Sequence, residues 1–344
     1  MRIRIFFLIS VLLIFGFYAP SQTKPEELSV LFYNVENLFD TNDDPLTEDD
    51  EFTPEGSRHW TYTKLNKKIL DLSKVILSSS DWQMPAIIAL CEIENRKVLD
   101  QFVAFTPLKS HSYKIIHKES PDHRGIDVAM LYHPKHFYPL TYEYFPLRNK
   151  NNTIKKTREL LYVSGILNKS DTLHFFVNHW PSRYGGLLET KPERKRAAHL
   201  LRQKVDELFE NHHKPKILIL GDFNDQPLDE SLIIVLKAIK ISGHISDKEL
   251  YNLSFDWMQN GVGTLKYQSQ WSVYDQIIVS GALLNSPSGF IAKPENALII
   301  NQPFLLEEDE KFGGWKPKRT YYGYRYQGGF SDHLPVLLKL ESAN

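Results

Sequence analysis

Apolar residues fall along this chain in short blocks, and their spacing separates strands from helices. Compact apolar runs predict strands at Leu28–Tyr33, Ala86–Cys91, Asp127–Tyr132, Leu160–Leu167, Leu173–Asn178, Lys216–Leu220, Tyr274–Val279 and Leu334–Leu340. Apolar residues at helical spacing predict helices at Thr63–Leu77, Glu193–Glu210 and Leu228–Lys240. Helices alternate with strands, yet several strands follow one another directly. That order predicts an α/β protein with a mixed sheet, or two stacked sheets with helices outside, rather than a simple parallel sheet.

The first residues have a different pattern. Arg2 and Arg4 precede an apolar run from Ile5 to Tyr18, and Ala19-Pro20-Ser21 offers a small-x-small cleavage site. This predicts a signal peptide over residues 1–21 and a periplasmic or secreted protein. No cysteine follows to carry a lipid anchor. An uncleaved membrane anchor is the competing reading, disfavoured by the polar Ser21-Gln22-Thr23-Lys24-Pro25 that follows at once. Residues 22–344 contain no Gly/Ser-rich or Pro-rich linker, no repeat and no heptad run, and read as a single domain without a stable membrane span.

Composition narrows the possible chemistry. The chain has 344 residues, 42% of them hydrophobic, enough for a large core. A net charge of -1 excludes a broadly basic surface, so any attraction to phosphate is local. The single cysteine, Cys91, excludes an internal disulfide and a multi-cysteine zinc site, and its apolar surroundings predict a buried thiol. No Gly-x-Gly-x-x-Gly or Gly-Lys-Ser/Thr loop is present, which argues against dinucleotide and P-loop binding.

The informative polar residues stand at strand ends. Leu31-Phe32-Tyr33 runs into Asn34-Val35-Glu36-Asn37, and Ala89-Leu90-Cys91 into Glu92. Phe176-Val177 runs into Asn178-His179, and Ile219-Leu220 into Gly221-Asp222-Phe223-Asn224. Asp275 and Ser331-Asp332-His333 introduce the last two predicted strands. One such terminus is a solvated turn more often than not; six are hard to explain that way. Oxygen ligands from Glu36, Glu92 and Asp332 suit a hard divalent cation, Mg²⁺ or Mn²⁺. Histidines beside carboxylates suit proton transfer near neutral pH.

In this combination and order, the motifs Asn34-Val35-Glu36, Glu92, Asn178-His179, Gly221-Asp222-Phe223-Asn224, Tyr274-Asp275 and Ser331-Asp332-His333 resemble the endonuclease/exonuclease/phosphatase superfamily. The resemblance runs from about Leu28 to Leu340. It implies a four-layer α/β sandwich, two central mixed β-sheets flanked by helices, and a metal-dependent phosphoesterase. It also implies roles. Glu92 resembles the principal metal ligand, with Glu36, Asn34 and Asp332 beside it. Asp222 corresponds to the group that activates water, and Asn224 to the group that holds this water or a phosphate oxygen. His333 resembles a phosphate contact oriented by Asp275. His179 matches the deoxyribonuclease-type position for leaving-group protonation, where AP endonucleases carry a Tyr, and Asp127 is its candidate partner.

The substrate is a phosphoester, but its class stays open. Lys311 to Tyr326 interleaves Lys and Arg with aromatic residues. Such a segment can stack bases and neutralise nucleic-acid phosphates, lie at a lipid interface, or pack as a Tyr-rich hairpin. Arg183, Arg124 and Arg158 are candidate phosphate contacts. The competing activities are a nuclease, a phosphatase or sphingomyelinase-like enzyme on small or lipid phosphoesters, and a catalytically silent binding module. No protein partner is inferable. The acidic stretch Asp40–Glu51 lacks EF-hand spacing and reads as a solvated loop. His212-His213 reads as a helix C-terminus rather than a zinc site.

Overall fold

The computed structural model describes residues 26–80, 83–169 and 171–343, so the expected signal peptide lies outside the described residues. The first half of the chain contributes strands β1 (Glu27–Leu38), β2 (Ile87–Ile93), β3 (Lys114–His117), β4 (Asp127–Tyr132), β5 (Phe137–Phe145), β6 (Leu160–Leu167) and β7 (Asp171–His179). Strands β8 (Lys216–Asp222), β9 (Ala238–Ile239), β10 (Leu250–Asn252), β11 (Leu265–Tyr267), β12 (Gln270–Ser272) and β13 (Asp275–Ser280) follow. The last are β14 (Phe290–Ile299), β15 (Leu306–Glu308), β16 (Trp315–Pro317), β17 (Tyr321–Tyr322), β18 (Arg325–Tyr326) and β19 (Val336–Ser342). The long helices are α1 (Tyr62–Ser78), α2 (Arg96–Ala104) and α3 (Leu187–Asn211).

Two mixed sheets result, in the orders β14-β19-β1-β2-β4-β3 and β5-β6-β7-β8-β13-β10-β9. Side chains alternate across each strand, and this sorts them into layers. Val30, Phe32, Ala89 and Met130 of the first sheet meet Val163, Phe175, Leu218 and Ile277 of the second in a core between the sheets. Leu31, Tyr33, Ile88 and Leu90 face outward onto Leu65, Ile69 and Leu72 of α1 and Leu99 of α2. Phe176, Ile217 and Ile219 pack outward on Ala198, Leu201 and Val205 of α3. Helix, sheet, sheet and helix make the four layers. Strands buried on both faces carry continuous apolar runs, and for that reason they stand out in the sequence.

The exceptions have local causes. Leu228–Lys240 is not a helix: Ser231–Leu236 form one π-helical turn, Lys237 ends it with φ 58°, and Ala238–Ile239 pair as the edge strand β9. The edge strands β5 and β14 escape the apolar criterion because β5 exposes Tyr138, Leu140 and Tyr142, while β14 holds Pro294 and shifts register between Ala292 and Ala297. The acidic stretch is not uniformly solvated. Asp40 and Asp49 are buried; the Asp40 amide donates to Glu94, and the Asp44 amide donates to Asp49 Oδ2 (3.1 Å). His212 caps the C-terminus of α3 as expected. Among the described residues, no helix is long and apolar enough to cross a membrane.

Candidate active site

Strand register puts the polar termini in one row. His179 of β7 lies opposite Asp222 of the parallel strand β8, and Asp222 lies opposite Asp275 of the antiparallel strand β13. The approach of β7 to β8 is close: a Cβ on Gly221 would meet Asn178 Cβ and O at 2.5 Å. On the other sheet, the β1–β2 register shifts between Asn34 and Leu38, and the β2–β4 register shifts between Cys91 and Ile93. Bulges of this kind re-aim side chains. Glu36 (φ 51°), Asn37 (φ 53°) and Glu92 (φ 62°) all adopt the left-handed conformation there, as does Asn224 (φ 50°) beyond β8. Such backbone is costly for non-glycine residues, and its clustering at one sheet end is a feature of functional sites.

Asn34 joins the two sheets. Its Oδ1 accepts from the Glu36 amide (3.0 Å), so its Nδ2 points at Asp222 Oδ2 (3.1 Å) and Glu92 Oε1 (3.4 Å). His179 Nε2 lies 3.9 Å from Glu92 Oε1 and 3.7 Å from Asp222 Oδ2. His333 Nε2 is 3.8 Å from Asp222 Oδ2, while its Nδ1 bonds Asp275 Oδ2 at 2.7 Å. The Asn37 amide donates to Glu92 Oε2 (2.9 Å). The Asn224 amide donates to Asp222 Oδ1 (2.9 Å), and Asn224 Nδ2 to the Trp180 carbonyl (3.1 Å).

Burial and charge separate the two histidines. Burial, then Arg158, Arg124 and His333, push His179 well below the usual imidazole range. Burial also opposes charge on His333, but Asp275 and Asp222 outweigh it and hold the imidazolium well above that range. Asp222 is pushed up to about 7, first by burial. A charged imidazole, a neutral one and a carboxyl group poised near neutrality therefore share one pocket.

Other expected residues are placed differently. Asp127 pairs with His117 Nε2 (2.9 Å) and the Ser120 amide (2.8 Å), not with His179, whose buried Nδ1 has no partner among the described residues. Arg158 is buried and donates to Asp122 (3.1 Å) and the Trp180 carbonyl (2.8 Å), so it braces the floor and is not free to grip substrate. Arg183 is likewise taken up by the Asn224 carbonyl (2.7 Å), Asp225 (2.9 Å) and Asp229 (2.6 Å). Arg124 does face the site: it donates to Asn37 Oδ1 (2.7 Å) and lies 3.9 Å from Glu92. Glu36 and Asp332 meet at Arg319. Its Nε donates to Glu36 Oε1 (3.3 Å) and its Nη2 to Asp332 Oδ2 (2.9 Å), and the Thr320 amide donates to Glu36 Oε2 (2.6 Å). Sequence reasoning singled out neither Arg319 nor the buried Lys68 behind it; one basic residue in a basic run, or in a helix, carries no distinguishing signal.

The basic-aromatic segment supplies β16, which pairs with the preceding β15, and the hairpin β17–β18. Together with β11 they enclose a cavity of about 410 Å³ beside Asp332, lined by Tyr267, Phe312, Tyr322, Lys311 and Lys316, among others. Lys266 is paired with Asp309 (2.9 Å), and Lys316 lies 3.6 Å from Glu307.

A hard divalent ion takes carboxylate oxygens; Asp222, Asp275 and His333 offer ligand atoms within 4.8 Å of one another, and Glu92 stands beside them, 3.9 Å from His179 Nε2.

The sequence model described as "Endonuclease/Exonuclease/phosphatase family" matches residues 29–342. No curated protein matches the chain. Among solved structures, a mannosyl-6-phosphatase of Bacteroides thetaiotaomicron is 17% identical with a TM-score of 0.56, over 91% of this chain and 99% of its own. The human Nocturnin catalytic domain with bound sulfate is 16% identical with a TM-score of 0.55, over 92% and 95%. A humanised D. rerio TDP2 is 15% identical with a TM-score of 0.55, over 91% and 98%. At these identities the structures establish the fold alone. With the family match across nearly the whole described chain, the conclusion is that this protein belongs to the endonuclease/exonuclease/phosphatase family, hydrolases of phosphoester bonds.

Proposed function

We propose that this chain is an exported phosphodiesterase that uses Mg²⁺ or Mn²⁺ and acts on nucleic acid. The observation that carries the reading is the meeting of Asn34, Glu92, His179, Asp222 and His333 at one end of the two sheets, with neighbouring polar atoms 3.1–3.9 Å apart. Glu92 would hold a divalent ion, with Asn34 fixing its position relative to Asp222. When bound, that ion supplies Lewis-acid polarisation of the phosphoryl group and templates the attack.

The other steps fall to the chain's own side chains. Asp222 takes the proton of the attacking water, which Asn224 orients. His333, kept charged by Asp275, donates to a phosphoryl oxygen, where negative charge gathers in the transition state. His179 gains its proton with the substrate, because the phosphate's negative charge offsets the burial and the neighbouring cations that hold it neutral in the free site. It then protonates the leaving oxygen as the phosphorus–oxygen bond breaks.

A diester of nucleic acid is favoured by the cavity beside Asp332 and by the exposed rings of Tyr267, Trp315, Tyr322 and Tyr324. Base stacking on such rings contributes on the order of 1–3 kcal/mol each. Lys266 and Lys316 already face carboxylates, so charge offered to a phosphate backbone in this cavity falls chiefly to Lys311. A second reading, a phosphatase of small phosphate esters, draws on that same charge pairing and on the likeness in fold to a sugar phosphatase.

The test is a substrate panel of plasmid DNA, RNA, bis(p-nitrophenyl) phosphate, sphingomyelin, inositol phosphates and mannose 6-phosphate, each with Mg²⁺ or EDTA, beside Glu92→Ala. Metal-dependent nucleotides with 5′-phosphate ends, lost in the variant, support the nuclease. Free inorganic phosphate from the monoesters alone supports the phosphatase. No turnover on the panel, from folded protein, leaves the binding module as the better reading. Processing after residue 21, read by N-terminal sequencing of exported protein, tests the signal peptide.

A further inference from the structure

We propose that Asp225, clamped between Arg194 and Arg183, is a positioning residue that aims Asn224 at the attacking water. The proposal rests on the phosphoesterase reading for the role of Asn224, and it gives a task to two arginines that touch no reacting atom.

Asn224 needs such support. Its backbone is left-handed (φ 50°), a conformation that asparagine tolerates but does not prefer. Its Nδ2 is taken up by the Trp180 carbonyl (3.1 Å), so Oδ1 is the side-chain atom left to accept from a water. Its amide donates to Asp222 Oδ1 (2.9 Å). Any shift of this turn therefore disturbs both the acceptor for the water and the carboxylate that takes the water's proton.

The turn is fastened from behind. The Asn224 carbonyl accepts from Arg183 Nε (2.7 Å), and Arg183 Nη2 donates to Asp225 Oδ1 (2.9 Å) and Asp229 Oδ2 (2.6 Å). The same guanidinium lies 4.9 Å over the ring of Tyr274, the neighbour of Asp275 in the chain. Asp225 is engaged at every oxygen. Its Oδ1 also accepts from Arg194 Nε (2.6 Å), its Oδ2 from Ser231 Oγ (2.6 Å) and its carbonyl from Gln276 Nε2 (2.6 Å).

Arg194 extends the clamp to the segment after His179. From α3 its Nη1 donates to Thr190 Oγ1 (2.7 Å) and the Ser182 carbonyl (3.4 Å), and its Nη2 to the Leu187 carbonyl (3.3 Å). The loop that leaves β7 thus hangs on the same carboxylate as the turn that leaves β8. His179 and Asn224 are held in register beyond the point where strand pairing ends.

Charge explains why residue 225 is an acid. Two guanidinium groups face two carboxylates, and the inner pair is sealed from water, with side-chain exposure of 0% for Arg194 and 4% for Asp225. A planar guanidinium binds a carboxylate along its N–H bonds, so it fixes direction as well as distance. An amide at this position keeps the shape but leaves Arg194 buried without its counter-ion.

The experiment is a double-mutant cycle on kcat for bis(p-nitrophenyl) phosphate, with hydrogen-exchange mass spectrometry of the same folded proteins. Asp225→Asn is expected to lower kcat about 10- to 100-fold with KM little changed, and to raise exchange in residues 180–187 and 222–229. In an Asn224→Ala background the same change should lower kcat by no more than about twofold further, because the residue it positions is gone. Additive losses in the cycle assign Asp225 to general stability and overturn the proposal. So does a folded Asp225→Asn with wild-type kcat, or with unchanged exchange in residues 222–229. Should Asp225→Asn fail to fold, Arg183→Gln, at the more exposed side of the clamp, takes its place in the cycle. No turnover by wild type overturns the phosphoesterase reading instead, and exchange then decides the clamp alone: loosened 222–229 supports it and unchanged exchange overturns it.

Discussion

Asp222 and His333 lie 3.8 Å apart and serve in opposite protonation states. Asp222 is raised by burial to about 7, so as a base it is lost when pH falls below that value. His333 stays charged well above the ordinary imidazole range, so the alkaline limb lies high. A bound cation can only draw the acid limb lower. The kcat/KM profile is therefore expected to have an acid limb at or below about pH 7; a limb above pH 8 would contradict the assignment of Asp222 as base. Asp275→Asn removes the carboxylate that holds the proton on His333 Nδ1, and the alkaline limb should move to lower pH. Glu92→Ala, Asp222→Ala and His333→Ala should each lower kcat by ~10²–10⁴. Circular dichroism checks that the fold is retained, and wild-type turnover by any of the three would refute its role.

Strand pairing and bulges aim these residues. Gly221 lets β8 lie against Asn178 of β7, and with it sets Asp222 opposite His179. Gly221→Ala forces a Cβ into Asn178 and should cost roughly 1–3 kcal/mol of stability, seen as a lower urea midpoint, together with lost turnover. An unchanged midpoint would mean that the strands can part without penalty. The hairpins β15–β16 and β17–β18 hold exposed rings beside the site, and their removal to Ala at Tyr322 and Trp315 should raise KM for oligonucleotides more than for bis(p-nitrophenyl) phosphate. Equal effects on both substrates would assign the rings to packing.

At the scale of the molecule, two sheets must stay in register with each other and with the loop that follows β1. Glu94 anchors that loop through the Asp40 amide, and burial raises its carboxyl to about 8. Between about pH 4.5 and 8 the folded chain thus holds a proton that the unfolded chain has released, and stability falls as pH rises through this window. Glu94→Gln keeps the acceptor and removes the titration. Its melting temperature should gain on wild type between pH 5 and pH 8.5; a constant difference would refute the buried proton.

The sequence by itself determined the fold class, the inner strands and the residues at their ends. Doubly buried strands must be apolar throughout, and a polar residue that ends such a run is conspicuous. Edge strands such as β5 and β14, half exposed or broken by proline, carry no such mark, and the π-turn at Ser231–Leu236 mimics a helix in its spacing. What only the tertiary structure decided was who meets whom. Arg158 and Arg183 turned inward to brace loops, Asp127 took His117 rather than His179, and Arg319 came between Glu36 and Asp332. Chemical type is written locally in a side chain. Its partner is set by strand register and bulges that join residues up to hundreds of positions apart, and no local pattern encodes that distance.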